Sequence, residues 1–140
     1  MLALIPPGAP MAYNTHRRDG FLVTSPGGGI YVIENGLRRP FPNEATFFSY
    51  GYKWTDALTI TSAELALIPD GAPLAYNTHF RDGKLISSPG KGIYLVENGL
   101  KRPFPSEAIF FSYSYKWADV IIISQTEAAL IPDGIAMVAK

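Results

Sequence analysis

The stretch IYVIENGLRRPFP at 30–42 returns as IYLVENGLKRPFP at 93–105, and the whole chain keeps that offset of 63 residues. Leu4 falls on Leu67, Tyr13 on Tyr76, Trp54 on Trp117 and Pro69 on Pro132, with no gap. Between 4–66 and 67–129, 42 of 63 positions are identical. Any fold available to one copy must therefore be available to the other, and the unit of construction is one supersecondary module used twice. The boundaries that follow are 1–66 for repeat unit 1 and 67–129 for repeat unit 2. Residues 130–140 start a partial third repeat, expected to act as a C-terminal cap.

Turn chemistry divides each copy. RRDGFLVTS and FRDGKLISS place Asp-Gly between short strand-like runs, and IENGL and VENGL place Asn-Gly between stronger ones. Both dipeptides suit type I′ turns, whose two central residues need positive φ. The reading is a four-stranded antiparallel meander at 12–17, 21–25, 29–34 and 37–41, repeated at 75–80, 84–88, 92–97 and 100–104. The Asn-Gly turn sets the last register: Glu34 opposite Leu37, Val32 opposite Arg39, Ile30 opposite Phe41. Glu34 and Arg39 then share a face and can pair. Tyr31, Ile33, Arg38 and Pro40 take the other face.

Asn43 and Ser106 are good helix N-caps, with Glu44 and Glu107 at the positive end of the helix dipole. A covering helix of two to three turns follows. Gly51 suits a left-handed end, but Ser114 replaces it in the second copy. Positive φ there costs about 1 kcal/mol, so a different cap is expected. DALTIT and DVIIIS read as one further short strand. TSAE and SQTE have the capping-box form and announce a short helix that stops before Pro69 and Pro132. The fold class is α+β, two tandem units of meander and short helices.

Composition removes several functions. Lys plus Arg equals Asp plus Glu at 12 each, which leaves no strong field for nucleic acid. With no cysteine there is no disulfide, thiolate nucleophile or Cys-type zinc site. No apolar run approaches the roughly 20 residues that cross a bilayer, so no membrane insertion is expected. MLALIPPG lacks the basic start of a signal peptide. G-x-S-x-G, H-E-x-x-H and a phosphate-binding glycine loop are all missing, and SPGGGIY becomes SPGKGIY in its copy. The chain is expected to be no enzyme and to need no cofactor. A hydrolase would need a nucleophile beside His16 and Asp19, and none is evident.

The ordered stretches RDGFLV, IYVIENGLRRPFP, FFSYGYKWTD and ELALIPDG, with RDGKLI, IYLVENGLKRPFP, FFSYSYKWAD and EAALIPDG in the second copy, resemble a tandem repeat of bacterial secreted and cell-surface proteins. The resemblance covers nearly the whole chain. It implies an extracellular or cell-surface location, often beside hydrolase or adhesive domains, and carries no catalytic residues. PMAYNTHR and PLAYNTHF depart from that pattern, and both copies keep the departure.

That segment is the first candidate ligand site: Tyr13, Asn14, His16, Arg18 and Asp19, with Tyr76, Asn77, His79, Arg81 and Asp82. Tyr, Asn, His and Asp can stack on a sugar ring and hydrogen-bond its hydroxyls; the plainer reading is a polar edge strand entering a turn. One His per copy is too few for a metal. Among the aromatics, Phe47, Phe110, Trp54 and Trp117 are expected in the core, while Tyr50 and Tyr113 are open to surface use. Of Arg38–Arg39 and Lys101–Arg102, one of each pair should be solvated and the other paired to Glu34 or Glu97. The expected role is a non-enzymatic, lectin-like binding module for a glycan or cell-wall polymer. The alternative is a structural spacer or a self-associating module that forms a homo-oligomer.

Overall fold

The computed structural model describes residues 11–140; the signal-peptide reading of residues 1–8 lies outside them. The first copy gives β1 (Leu22–Thr24), β2 (Ile30–Glu34), β3 (Leu37–Pro40), α1 (Glu44–Ser49), a 3-10 turn at Trp54–Asp56, β4 (Leu58–Thr59) and α2 (Ser62–Ala66). The second gives β5 (Leu85–Ser87), β6 (Ile93–Glu97), β7 (Leu100–Pro103), α3 (Glu107–Ser112), a turn at Trp117–Asp119, β8 (Val120–Ile122) and α4 (Gln125–Leu130). The compact units do not follow the repeat boundary. One takes residues up to Phe41 with Lys53–Leu74; the other takes Pro42–Tyr52 with Ala75–Lys140.

Each unit holds a four-stranded sheet, in the orders β3-β2-β1-β4 and β7-β6-β5-β8. The Asn-Gly hairpin has the expected register, with Glu34 opposite Leu37 and Val32 opposite Arg39. Asn35 at φ 55° and Gly36 at φ 77° supply the two positive dihedrals that a type I′ turn requires.

The expected strands at 12–17 and 75–80 do not form. Residues 15–20 and 78–83 are turns instead. The Asn14 side chain accepts the His16 N–H and its carbonyl accepts the Arg17 N–H, which bends the chain before it can extend. The Asp-Gly pair is accordingly no type I′ turn, since of the two only Gly20 has positive φ. The free edge of β1 goes to the late strand β4, in parallel, as β5 pairs β8. The sheets are therefore mixed, with a meander of three strands.

Period-two alternation buries both sheet faces. In the first unit Val23 and Ile33 pack with Ile60, Leu65 and Ile68, and Tyr13 and Tyr31 close that cluster. Leu22 and Val32, on the opposite face, are buried too. In the second unit Ile86 and Val96 pack with Tyr76, Ile123, Ala128 and Ile131, and Ala45 lies against them. Behind them Leu85, Leu95, Phe110 and Met137 form a second cluster. Each Val, Leu, Ile, Phe or Met among them contributes about 1.5–3 kcal/mol on full burial.

Asn43 and Ser106 cap α1 and α3 through their side chains. Each helix has only six residues. Its hydroxyl then receives the chain that begins the next repeat: Asn77 N–H donates to Ser49, and Lys140 N–H to Ser112. This explains why 42–52 belongs with the second unit. The tail follows the same course as 70–74. Leu74 N–H donates to Pro40, Met137 N–H to Pro103, and Asp70 and Asp133 bridge to β3 and β7.

Ser114 overturns the expectation of a different cap. It adopts φ 63°, as Gly51 adopts 80°, and its N–H closes the helix on Phe111 O as Gly51 N–H does on Phe48 O. Backbone satisfaction outweighs the strain. Trp54 and Trp117 are a second correction. Phe47 and Phe110 are buried, but both indoles are 49% exposed, because each sits in a surface 3-10 turn after the helix.

Candidate functional site

The AYNTH segment acts on its own scaffold. Tyr13 donates its hydroxyl proton to Glu64 at 2.6 Å, and the Arg18 guanidinium grips both oxygens of Glu64 at 3.0 and 3.1 Å. Tyr76, Arg81 and Glu127 repeat the arrangement. The glutamates come from the capping-box segments. Thr61 and Ser124 accept the N–H groups of Glu64 and Glu127, as expected. The carboxylates, however, turn away from the helix ends to meet the Tyr and Arg. The turn at 15–20 is thereby tied to the first turn of α2, 46 residues later.

A second tie joins the same turn to the hairpin. Asp19 accepts from Gly36 N–H at 2.8 Å with one oxygen and meets His16 Nδ1 at 2.8 Å with the other. Asp82, Gly99 and His79 do likewise. A Cβ at Gly36 would lie 2.9 Å from Thr15 Oγ1, so glycine serves the close approach as well as the turn.

The electrostatics follow from these contacts. The Arg18 and Tyr13 hydrogen bonds hold the Glu64 carboxyl down at about 2. Burial and the bond to Glu127 push the Tyr76 phenol well above its ordinary range. Hydrogen bonds from His16 and Gly36 lower Asp19, and the His79 bond lowers Asp82.

The predicted residues thus divide. Tyr13, Arg18, Tyr76 and Arg81 spend their polar atoms on Glu64 and Glu127. Asn14 shapes the backbone; Asn77 also donates to Ser49 O. His16 and His79 keep most of their surface exposed beside Asp19 and Asp82. The Tyr50 hydroxyl reaches Ala75 O and the Tyr113 hydroxyl Val138 O. Arg39 and Arg102 pair with Glu34 and Glu97, as expected. Arg38 and Lys101 differ from the solvated cations expected. Arg38 donates to Leu65 O and meets Asp70, and Lys101 donates to Ala128 O and Ile131 O. Each cation satisfies carbonyls at the end of the short helix, which favours positive charge.

An exposed aromatic ledge was missed. Trp117 stacks on Phe110 at 4.5 Å and 12°, and meets the edge of Phe111 at 5.3 Å. Phe111 is itself 46% exposed. Alternation between buried Phe110 and open Phe111 within FFSY was the available signal.

Among the described residues, no group of three His, Cys, Asp or Glu converges, and no helix is long and apolar enough to cross a membrane. Comparison with known protein families, curated proteins and solved structures finds no match.

Proposed function

We propose that the chain is a non-enzymatic repeat module of a bacterial surface or secreted protein and that it binds carbohydrate or cell-wall polymer. The observation that carries this is the aromatic ledge of Trp117 and Phe111. A flat indole, held by stacking on a buried ring and half open to solvent, offers the apolar face of a sugar a rigid surface at little entropic cost. Trp54 is open to the same degree, which gives a polymer two places to engage and lets avidity act.

The test is sedimentation of the full chain with insoluble peptidoglycan, together with a glycan panel. Trp54→Ala combined with Trp117→Ala should reduce the bound fraction at least tenfold while leaving the thermal transition in place. Unchanged binding in that variant would overturn the assignment to the ledge.

The second reading is a structural spacer or self-associating module. Tyr13, Arg18, Tyr76 and Arg81 favour it, because their polar atoms serve internal ties. A chain that binds neither peptidoglycan nor any glycan on the panel would establish that reading over the first.

A further inference from the structure

A cavity of about 270 Å³ opens in the second unit beside α4, lined by Ser88, Lys91, Tyr94, Lys101, Gln125 and Asp133, with Ala128 among its apolar wall residues. Ser88 is 4% exposed and its hydroxyl has no hydrogen-bond partner. An orphaned buried hydroxyl in a cavity wall is costly unless something completes it.

The repeat supplies its own control. Ser25, Tyr31, Arg38 and Asp70 occupy the equivalent positions in the first unit, but Gly28 stands for Lys91, Ser62 for Gln125 and Leu65 for Ala128. Leu65 is buried in its cluster, and its Cδ2 reaches within 3.9 Å of where a Cβ at Gly28 would stand. In the second unit an alanine leaves that volume open, and a lysine and an amide are added at its rim. Four of the 21 differences between the copies therefore fall on the lining of one cavity; Lys101 for Arg38 keeps the charge, and the other three open space and add a cation and an amide.

We infer that this cavity binds a small hydroxylated carboxylate, of the size and chemistry of a single sugar acid. Lys101 is already committed to Ala128 O and Ile131 O and lies 3.4 Å from Asp133. Lys91 is left as the charge that meets the ligand's carboxylate. Asp133, Tyr94 and Ser88 offer an acceptor and two hydroxyls for the ligand's own hydroxyl groups. The volume is below that of most drug-sized pockets, which restricts the occupant to about one monosaccharide. The site is separate from the aromatic ledge and does not rest on the polymer-binding reading.

The test is a titration of the isotopically labelled full chain with glucuronate, followed by amide chemical shifts, with glucose and inorganic phosphate as parallel arms. Glucuronate should shift the amides of Ser88, Lys91 and Gln125, and the other two should shift them at least fivefold less at equal concentration. Ala128→Leu, which installs the first unit's residue, should abolish the response. Lys91→Gly, another residue taken from the first unit, should weaken it about fivefold and serves where Ala128→Leu disturbs the fold. No glucuronate response, an equal response to glucose or phosphate, or binding unaffected by both substitutions would overturn the proposal. Trp117→Ala should leave the response intact, so failure here and failure of the polymer reading are told apart.

Discussion

The two units share a topology and differ in how dry they keep the same polar triad. In the first, Glu64 is 17% exposed and Arg17 adds a second cation at 3.7 Å. In the second, Phe80 stands where Arg17 stood. Arg81 stacks over its ring at 4.8 Å, and the Glu127 side chain is 10% exposed by the same measure. One substitution thus replaces a solvated charge with an apolar cover. Identical hydrogen bonds should therefore have different consequences when broken, because the cost of an orphaned polar group rises with its burial.

The largest effect should come from that difference. Glu127→Ala leaves the buried Tyr76 hydroxyl and the Arg81 guanidinium without their acceptor and should cost about 3–5 kcal/mol. Glu64→Ala removes the same bonds where water can replace them and should cost about 1–3 kcal/mol. Urea unfolding of the two full-length variants measures both. Equal losses would dissolve the distinction between a dry and a wet triad.

A second contrast lies in the apolar clusters. Leu65→Ala should cost about 2–4 kcal/mol, since it empties a site bounded by Val23, Ile33, Ile60 and Ile68. The reverse exchange, Ala128→Leu, should add on the order of 1 kcal/mol by filling space that the first unit already fills. A destabilised Ala128→Leu protein would mean that the second unit has repacked and cannot accept its sister's residue.

The repeat makes clear how far residue patterns reach. Alternation in IYVIE, the Asn-Gly turn and the S/T-x-x-E boxes all act through near neighbours, so register, caps and helix stops were legible. The segment 12–17 was not, because extension competes with a local bend at Asn14 and a distant anchor at Glu64. No pattern in six residues discloses a partner 46 or 51 positions away. The capping-box glutamates showed the same limit: the box predicted the Thr61 and Ser124 bonds, but long-range partners took the carboxylates. Trp54 and Trp117 were misread because size favours burial, whereas the short turn that holds each indole leaves one face outside. The cavity left its trace only in the differences between copies, at Gly28 and Lys91 and at Leu65 and Ala128.

Acid should expose the first triad in a defined window. Glu64 has its folded pKa lowered to about 2 from an ordinary 4.5, chiefly by Arg18 and then by Tyr13. Between those values the unfolded chain binds a proton that the folded chain does not. The stabilisation is thus complete above about pH 4.5 and is lost as pH falls toward 2. Glu64→Gln should flatten that part of the acid limb. The loss should be smaller than for Glu64→Ala, since a protonated carboxyl still offers an oxygen to Tyr13 and Arg18. A wild-type acid limb unchanged by Glu64→Gln would show that the pair adds no charge-dependent stability.

The smallest contrast tests the helix ends. Gly51 and Ser114 hold the same left-handed position, at φ 80° and 63°. Nothing lies within 4 Å of a Cβ built on Gly51, so Gly51→Ser meets only the backbone cost of positive φ. That substitution should lower stability by about 1 kcal/mol. Ser114→Gly removes the strain but gives the unfolded chain more freedom, and the two terms oppose each other. A net gain of about 0.5 kcal/mol is expected, smaller than the loss on the other side. Thermal unfolding of both variants decides it. A loss in Ser114→Gly would mean that the serine hydroxyl, and not only the backbone N–H to Phe111, helps to end α3; the two helix ends would then differ in chemistry as well as in sequence.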